Sequence, residues 1–110
     1  MNKVIIVTID GCQRCQKLKE SFKNSQILHT QVKCEDDPGM CDELESYTKT
    51  MMYPMVIIKD TNKINYIFFI GNSYNYLGKE LDAGKNLILC PQFSIEDIIE
   101  KSKEKLKQLQ

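Results

Sequence analysis

Cys12 and Cys15 stand three positions apart, with Gln13 and Arg14 between them. They follow an apolar, β-branched run, Val4-Ile5-Ile6-Val7-Thr8-Ile9, and a turn signal, Asp10-Gly11, and they open a stretch patterned as a helix. A strand that delivers a Cys-x-x-Cys pair to a helix N-terminus points to thiol chemistry. The first amides of a helix lack intrahelical acceptors and carry partial positive charge, so they favour an anion beside them. A thiolate is such an anion, and cysteine pKa values at such sites fall from about 8.5 into the range of roughly 3.5–7.5. Cys12 is the expected exposed nucleophile. Cys15 lies one turn on and on the same side, within reach of a disulfide with it. Arg14 is the only arginine of the chain. Its guanidinium, folded back, would add a cation beside the thiolate, whereas a nearby Asp10 carboxylate would raise the thiol pKa as a like charge.

The same spacing also serves half of a zinc site. A second pair of donors would then be needed, and Cys34 and Cys41, with six residues between them, are spaced too widely for a zinc knuckle. Cys34, Cys41 and Cys90 read first as small buried hydrophobes. Cys41 falls on the apolar stripe of a helix and is expected to be structural. Cys34 follows an edge strand, where an exposed regulatory thiol is an alternative. His29 alternates outward on that strand and reads as solvated.

The chain has 110 residues, 42% hydrophobic and 27% charged, which fits one domain over residues 1–110 with a single core. Fifteen basic and fifteen acidic side chains cancel, so neither a nucleic acid nor a membrane surface is an expected partner. No segment approaches the roughly 20 apolar residues of a membrane span. Val4–Ile9 is shorter than the ~7–15 apolar residues of a signal peptide. Five cysteines in an otherwise ordinary composition do not form a secreted disulfide framework, so the expected location is a reducing cytoplasm. A monomer is expected.

The elements that must position the cysteines follow from periodicity. Lys3–Ile9 is apolar on both faces and is expected to be a central strand covered by helices. Cys12, Cys15, Leu18 and Phe22 recur at helical spacing, and that helix should end near Asn24-Ser25. Ile27–Lys33 alternates like a half-exposed edge strand. Strand, helix, strand predicts a βαβ unit with parallel strands. Asp37 and Pro38 fit the cap and first position of a second helix, with Cys41, Leu44, Tyr47 or Thr48, and Met51 as its buried stripe. Met55–Ile58 and Ile64–Ile70 flank the turn residues Lys59–Lys63 and predict an antiparallel hairpin. From Tyr74 to Gln92 the pattern is weak; a short helix over Asn75–Ala83 is expected, and Leu87–Cys90 reads as a strand or a buried loop. The last helix opens with Ser94 and Asp97 at capping-box spacing and with Phe93 and Ile98 placed as a hydrophobic staple. Its stripe is Ile95, Ile98, Ile99, Ser102, Leu106 and Leu109, with the lysines opposite as a wet face.

This order, with Cys12-Gln13-Arg14-Cys15 after the first strand, Tyr53-Pro54 before the third and Gly71 after the fourth, resembles the thioredoxin superfamily. It is most similar to glutaredoxins and small glutaredoxin-like thioredoxins, over roughly Lys3 to Ser73 and again in the final helix. The resemblance implies an α/β thioredoxin-like fold, with a four-stranded mixed sheet flanked by helices. It implies a thiol–disulfide oxidoreductase acting through Cys12 and Cys15 on protein or glutathione mixed disulfides. No permanently bound cofactor is implied; glutathione is a possible co-substrate, and glutathione or a thioredoxin reductase is the electron donor. The resemblance further implies a cis Tyr53–Pro54 bond that turns the Tyr53 backbone toward substrate. The substrate groove would comprise Arg14, Tyr53, Pro54, Gly71, Asn72 and Ser73, with Tyr74 and Tyr76 as further candidates. The chain departs from the family in its Gln-Arg dipeptide and in Asn72, which replaces a second glycine. It departs again at Ile9-Asp10-Gly11, where many glutaredoxins carry a lysine. These departures bear on glutathione recognition more than on fold. A non-catalytic protein on the same frame, or a zinc-binding module, is the alternative reading.

Overall fold

The computed structural model describes residues 3–48, 52–60, 63–70, 81–84, 87–92 and 94–109. Strand β1 (Lys3–Thr8) leads into helix α1 (Gln13–Asn24), which is followed by β2 (Thr30–Lys33) and α2 (Pro38–Thr48). The hairpin β3 (Met55–Lys59) and β4 (Ile64–Ile70) comes next, then β5 (Leu81–Gly84), β6 (Leu87–Gln92) and α3 (Ile95–Gln108). The strands form one mixed sheet in the order β2-β1-β3-β4-β6-β5. β1 runs parallel to β2 and antiparallel to β3, and β3 runs antiparallel to β4. This is the α/β thioredoxin-like arrangement.

Alternation along the central strands sorts their side chains to two faces. Val4 and Ile6 of β1, Val56 and Ile58 of β3 and Phe68 of β4 meet Leu18 and Phe22 of α1 and Ile98 and Ile99 of α3. Val7, Met55, Ile57, Ile67 and Phe69 point the other way and meet Cys41 and Leu44 of α2. A strand apolar on both faces must be covered on both, and β1 is, which explains its central place.

The α1 terminus also sets where β2 begins. Gln26 takes a left-handed φ of 61°. The amide of Gln26 then reaches the Lys23 carbonyl at 3.1 Å, and that of Ile27 reaches the Phe22 carbonyl at 3.0 Å, closing a Schellman cap. Ile27 is buried in the core beneath it. These residues belong to the cap, so the edge strand starts at Thr30 and not at the expected Ile27.

The sheet is wider than the four strands expected. β6 lies parallel to β4, and β5 pairs antiparallel with β6. Leu87–Gln92 is thus a strand, and it satisfies the backbone groups that β4 would otherwise leave unpaired. Residues 81–83 of the expected Asn75–Ala83 helix are in β5; the rest of that segment lies outside the described residues, as do Met51 and Phe93. Both predicted caps are present: the Met40 amide donates to Asp37 Oδ1 at 3.1 Å, and the Asp97 amide donates to Ser94 Oγ at 3.2 Å. Lys105 departs from the expected wet face, since it lies within the buried stripe of α3 with its ammonium 5.2 Å from the centre of the Tyr66 ring. No helix among the described residues is long and apolar enough to cross a membrane.

Candidate active site

One end of the sheet gathers the chemistry. The register pairs Thr8 with Lys33 and Val7 with Met55, so the turn after β1, the turn after β2 and the residues just before β3 adjoin one another. The turn after β1 carries Cys12, the turn after β2 carries Cys34, and the approach to β3 carries Tyr53 and Pro54. Gly11 makes the first turn possible. Its φ is +75°, in the region a side chain disfavours by roughly 1–2 kcal/mol.

Cys12 is the N-cap of α1, and its Sγ accepts a hydrogen bond from the Cys15 amide at 3.1 Å. The two cysteines form a disulfide, with Cα atoms 5.3 Å apart. Cys12 is half-buried, whereas Cys15 is only 2% exposed. Cys12 is therefore the more accessible of the two sulfurs, though half-buried and not the fully exposed one expected, and Cys15 is shielded. Arg14 is exposed, makes no hydrogen bond or ion pair with a described residue, and does not line the cleft at Cys12.

That cleft, of about 290 Å³, lies over the ends of β1 and β2 and the first turns of α1. Besides Cys12 and Cys15, its polar wall includes Thr8, Asp10, Gln16, Lys19, Gln31 and Lys33. The Gln31 amide nitrogen donates to Thr8 Oγ1 at 2.8 Å, and its oxygen accepts from Lys19 Nζ at 2.9 Å. Lys33 Nζ lies 2.8 Å from Asp10 Oδ1. The Lys33 hydrogen bond and charge hold the Asp10 carboxyl below its ordinary 3.8, and the same partner lifts Lys33 above 10.5. The Asp10 charge that opposes a thiolate is thus balanced by a lysine from the neighbouring strand. Sequence reasoning missed Lys19, Gln31 and Lys33. The βαβ prediction contained the signal, because parallel neighbours end side by side and the last residue of β2 must flank the turn after β1.

The Tyr53–Pro54 peptide bond is cis, as the resemblance implied. Pro54 is buried, and the half-buried Tyr53 reaches Cys34, its hydroxyl 3.3 Å from Cys34 Sγ. Gly71, Asn72 and Ser73 lie outside the described residues, as do Tyr74 and Tyr76. Cys34 and Cys41 are joined in a second disulfide, with Cα atoms 5.6 Å apart. This corrects the expectation of two separate small hydrophobes. Cys41 does pack on the core, yet the turn at residues 34–36 and the first turn of α2 fold Cys34 back onto it. Cys90 is the buried small hydrophobe expected. His29 is half-buried and not simply solvated: its ring stands edge-on to Phe22, and Nδ1 donates to the Ile27 carbonyl at 2.9 Å. Among the described residues no three His, Cys, Asp or Glu side chains gather as a metal site would need.

The glutaredoxin family model matches residues 4–62, just over half of the chain, and the match takes in β1, α1 with both cysteines, β2, α2 and β3. The chain belongs to the glutaredoxin family. The solved structures similar to this glutaredoxin-family chain include two of different coverage. The thioredoxin-like protein BC3987 is 17% identical, with a TM-score of 0.45, over 56% of this chain and 89% of that one. A structure described as that of a malarial protein is 14% identical, with a TM-score of 0.49, over 94% of this chain and 96% of that one. A comparison with curated proteins finds no match. This glutaredoxin domain thus carries its Cys-x-x-Cys pair at disulfide distance, at the N-terminus of α1.

Proposed function

We propose that this protein is a thiol–disulfide oxidoreductase with Cys12 as nucleophile and Cys15 as resolving thiol. One observation carries the reading: Cys12 Sγ caps α1 and accepts the Cys15 amide, while Cys15 itself is shielded. In the reduced protein the same amide and the helix terminus favour the Cys12 thiolate and hold its pKa below that of an ordinary thiol. The thiolate attacks one sulfur of a substrate disulfide, forming a mixed disulfide at Cys12 and expelling the other sulfur as thiolate. Cys15 then loses its proton and attacks Cys12 Sγ. The Cys12–Cys15 disulfide forms, and the second substrate sulfur leaves, taking up a proton. Two electrons pass from the protein to the substrate.

Glutathione fits as the donor that restores the dithiol. It is a small anionic thiol, and the cleft at Cys12 presents Lys19 and Lys33 against the single carboxylate of Asp10. The Tyr53 backbone before the cis-proline offers a strand-like pairing edge for glutathione or a peptide substrate. Gly71, Asn72 and Ser73 would complete the groove, and Arg14 would act at its rim through charge alone. We place the activity in a reducing cytoplasm, within one domain acting as a monomer, with disulfide-containing proteins as substrates.

The test is the Cys15→Ser variant. It should accumulate a mixed disulfide at Cys12 when given oxidised glutathione, seen by intact-mass analysis as one glutathione per chain that dithiothreitol removes. Turnover of disulfides at the wild-type rate by Cys15→Ser would exclude Cys15 as the resolving thiol.

A further inference from the structure

The mechanism above leaves one pair of cysteines unused. Cys34 and Cys41 are bridged across the turn that joins β2 to α2. They repeat the asymmetry of the first pair, since Cys34 is half-buried and Cys41 only 6% exposed. A thiol approaching from outside meets Cys34 first. Cys34 lines a cavity of about 220 Å³ together with Thr8, Ile9, Asp10, Lys33 and Glu35. The first four of these also line the cleft at Cys12, so the two disulfides open onto adjoining hollows that share the Asp10–Lys33 ion pair. A bridged sulfur has no proton to give, so the Tyr53 hydroxyl donates to Cys34 Sγ across their 3.3 Å. Tyr53 immediately precedes Pro54, at the edge where substrate is proposed to pair.

We propose that Cys34 and Cys41 form a second thiol-exchange site, reduced by a glutathione-class thiol entering at Cys34, and that its state sets the Tyr53 side chain beside the substrate cleft. The thiolate of one glutathione attacks Cys34 Sγ, a mixed disulfide forms there, and Cys41 leaves as a thiolate and takes up a proton. A second glutathione thiolate attacks the glutathione sulfur of the mixed disulfide. Oxidised glutathione departs, and Cys34 is released as a thiolate that takes up a proton. Two glutathione thiols supply the two electrons, and oxidised glutathione reverses the sequence. Once opened, Cys34 moves free of its tether to α2, and Tyr53 loses a fixed acceptor. The effect on the cleft rests on the oxidoreductase reading; the exchange at Cys34 does not.

The experiment keeps the two apart. In the Cys12→Ser/Cys15→Ser double variant, folded protein is equilibrated in buffers of graded reduced and oxidised glutathione, alkylated, and mapped by peptide mass. Cys34 should gain label, and the Cys34–Cys41 cross-linked peptide should disappear, as the buffer becomes more reducing, while the buried Cys90 stays unlabelled. A cross-linked peptide that persists until the protein is denatured would overturn the exchange site. Coupling is then read on protein with Cys12 and Cys15 intact, using the Cys34→Ser/Cys41→Ser variant as the permanently open state. Its KM for a protein disulfide should differ from that of the bridged form by about twofold to tenfold, the range one neutral hydrogen bond covers. The kcat should hold, and Tyr53→Phe should abolish the difference. Equal KM values in the bridged and open forms would overturn the coupling. A wild type without turnover, in which the pair still titrates in the double variant, would reject the oxidoreductase reading and with it the coupling, leaving the exchange site standing.

Discussion

Asp10 and Lys33 form an ion pair in the cleft beside Cys12. Each is exposed enough to meet solvent, and each titrates away from neutrality because of the other. The Asp10 pKa is depressed, so its contribution to stability is fully present above 3.8 and is lost as pH falls through the lower folded-state value. The Lys33 pKa is raised, so its share is fully present below 10.5 and is lost as pH rises through the higher one. The pair is therefore constant through neutrality. The urea midpoints of wild type and Asp10→Asn should differ by a fixed amount at neutral pH and converge as the solution is acidified below 3.8. A difference that drifts across neutral pH would assign the effect to another group. The same variant releases the Lys33 ammonium toward the cleft. Its kcat/KM with glutathione should rise, by less than about tenfold as befits an exposed charge, and the gain should shrink as salt is added.

Among the elements, α1 and α3 show how capping chemistry converts sequence into position. Ser94 accepts the Asp97 amide, and the first turn of α3 carries Glu96 and Asp97 where the helix dipole favours acids. Ser94→Ala should cost about 1 kcal/mol, read as a lower melting temperature with the far-UV spectrum unchanged. An unaltered melting temperature would mean that core packing alone holds the α3 terminus. Caps, apolar periodicity and the βαβ order are local signals, and they placed β1, α1, α2, β3, β4 and α3 and put Cys12 and Cys15 at the N-terminus of α1, whereas the cis Tyr53–Pro54 bond followed only from the family resemblance. What remained illegible depends on non-local pairing. Leu81–Gly84 has no strong strand pattern of its own and becomes a strand because β6 offers it a backbone edge. The Cys34–Cys41 bridge needs a turn of known shape between two residues that each read as ordinary core cysteines. Lys33 and Gln31 acquire roles only when β2 is laid against β1 in register.

At the scale of the whole molecule the question is whether β5 and β6 are an appendage or part of one cooperative unit. The family match ends at residue 62, before β4 begins, so the outer half of the sheet falls beyond what the match covers. The packing places β6 inside. Leu87 and Leu89 join the cluster around Leu44 and Phe69, and Cys90 joins the opposite cluster around Phe22, Phe68 and Ile98. β6 thus contributes to both faces of the sheet, and its ladder with β4 continues the one that β4 makes with β3. A strand bound on both faces and along an edge cannot open without uncovering β4, which in turn supports β3 and the corner at Pro54. Leu89 is 2% exposed. Removing most of its side chain in Leu89→Ala should cost roughly 2–5 kcal/mol. In a cooperative domain that loss lowers a single transition, seen alike by far-UV circular dichroism and by alkylation of the shielded Cys15 in reduced protein, with the two curves superimposed. Were β5 and β6 an appendage, the same substitution would give an early transition by circular dichroism and leave the cysteine probe at its wild-type midpoint. Superposition is the expected result, because the core that positions Cys12 and the core that holds β6 share Phe68, Ile98 and the backbone of β4.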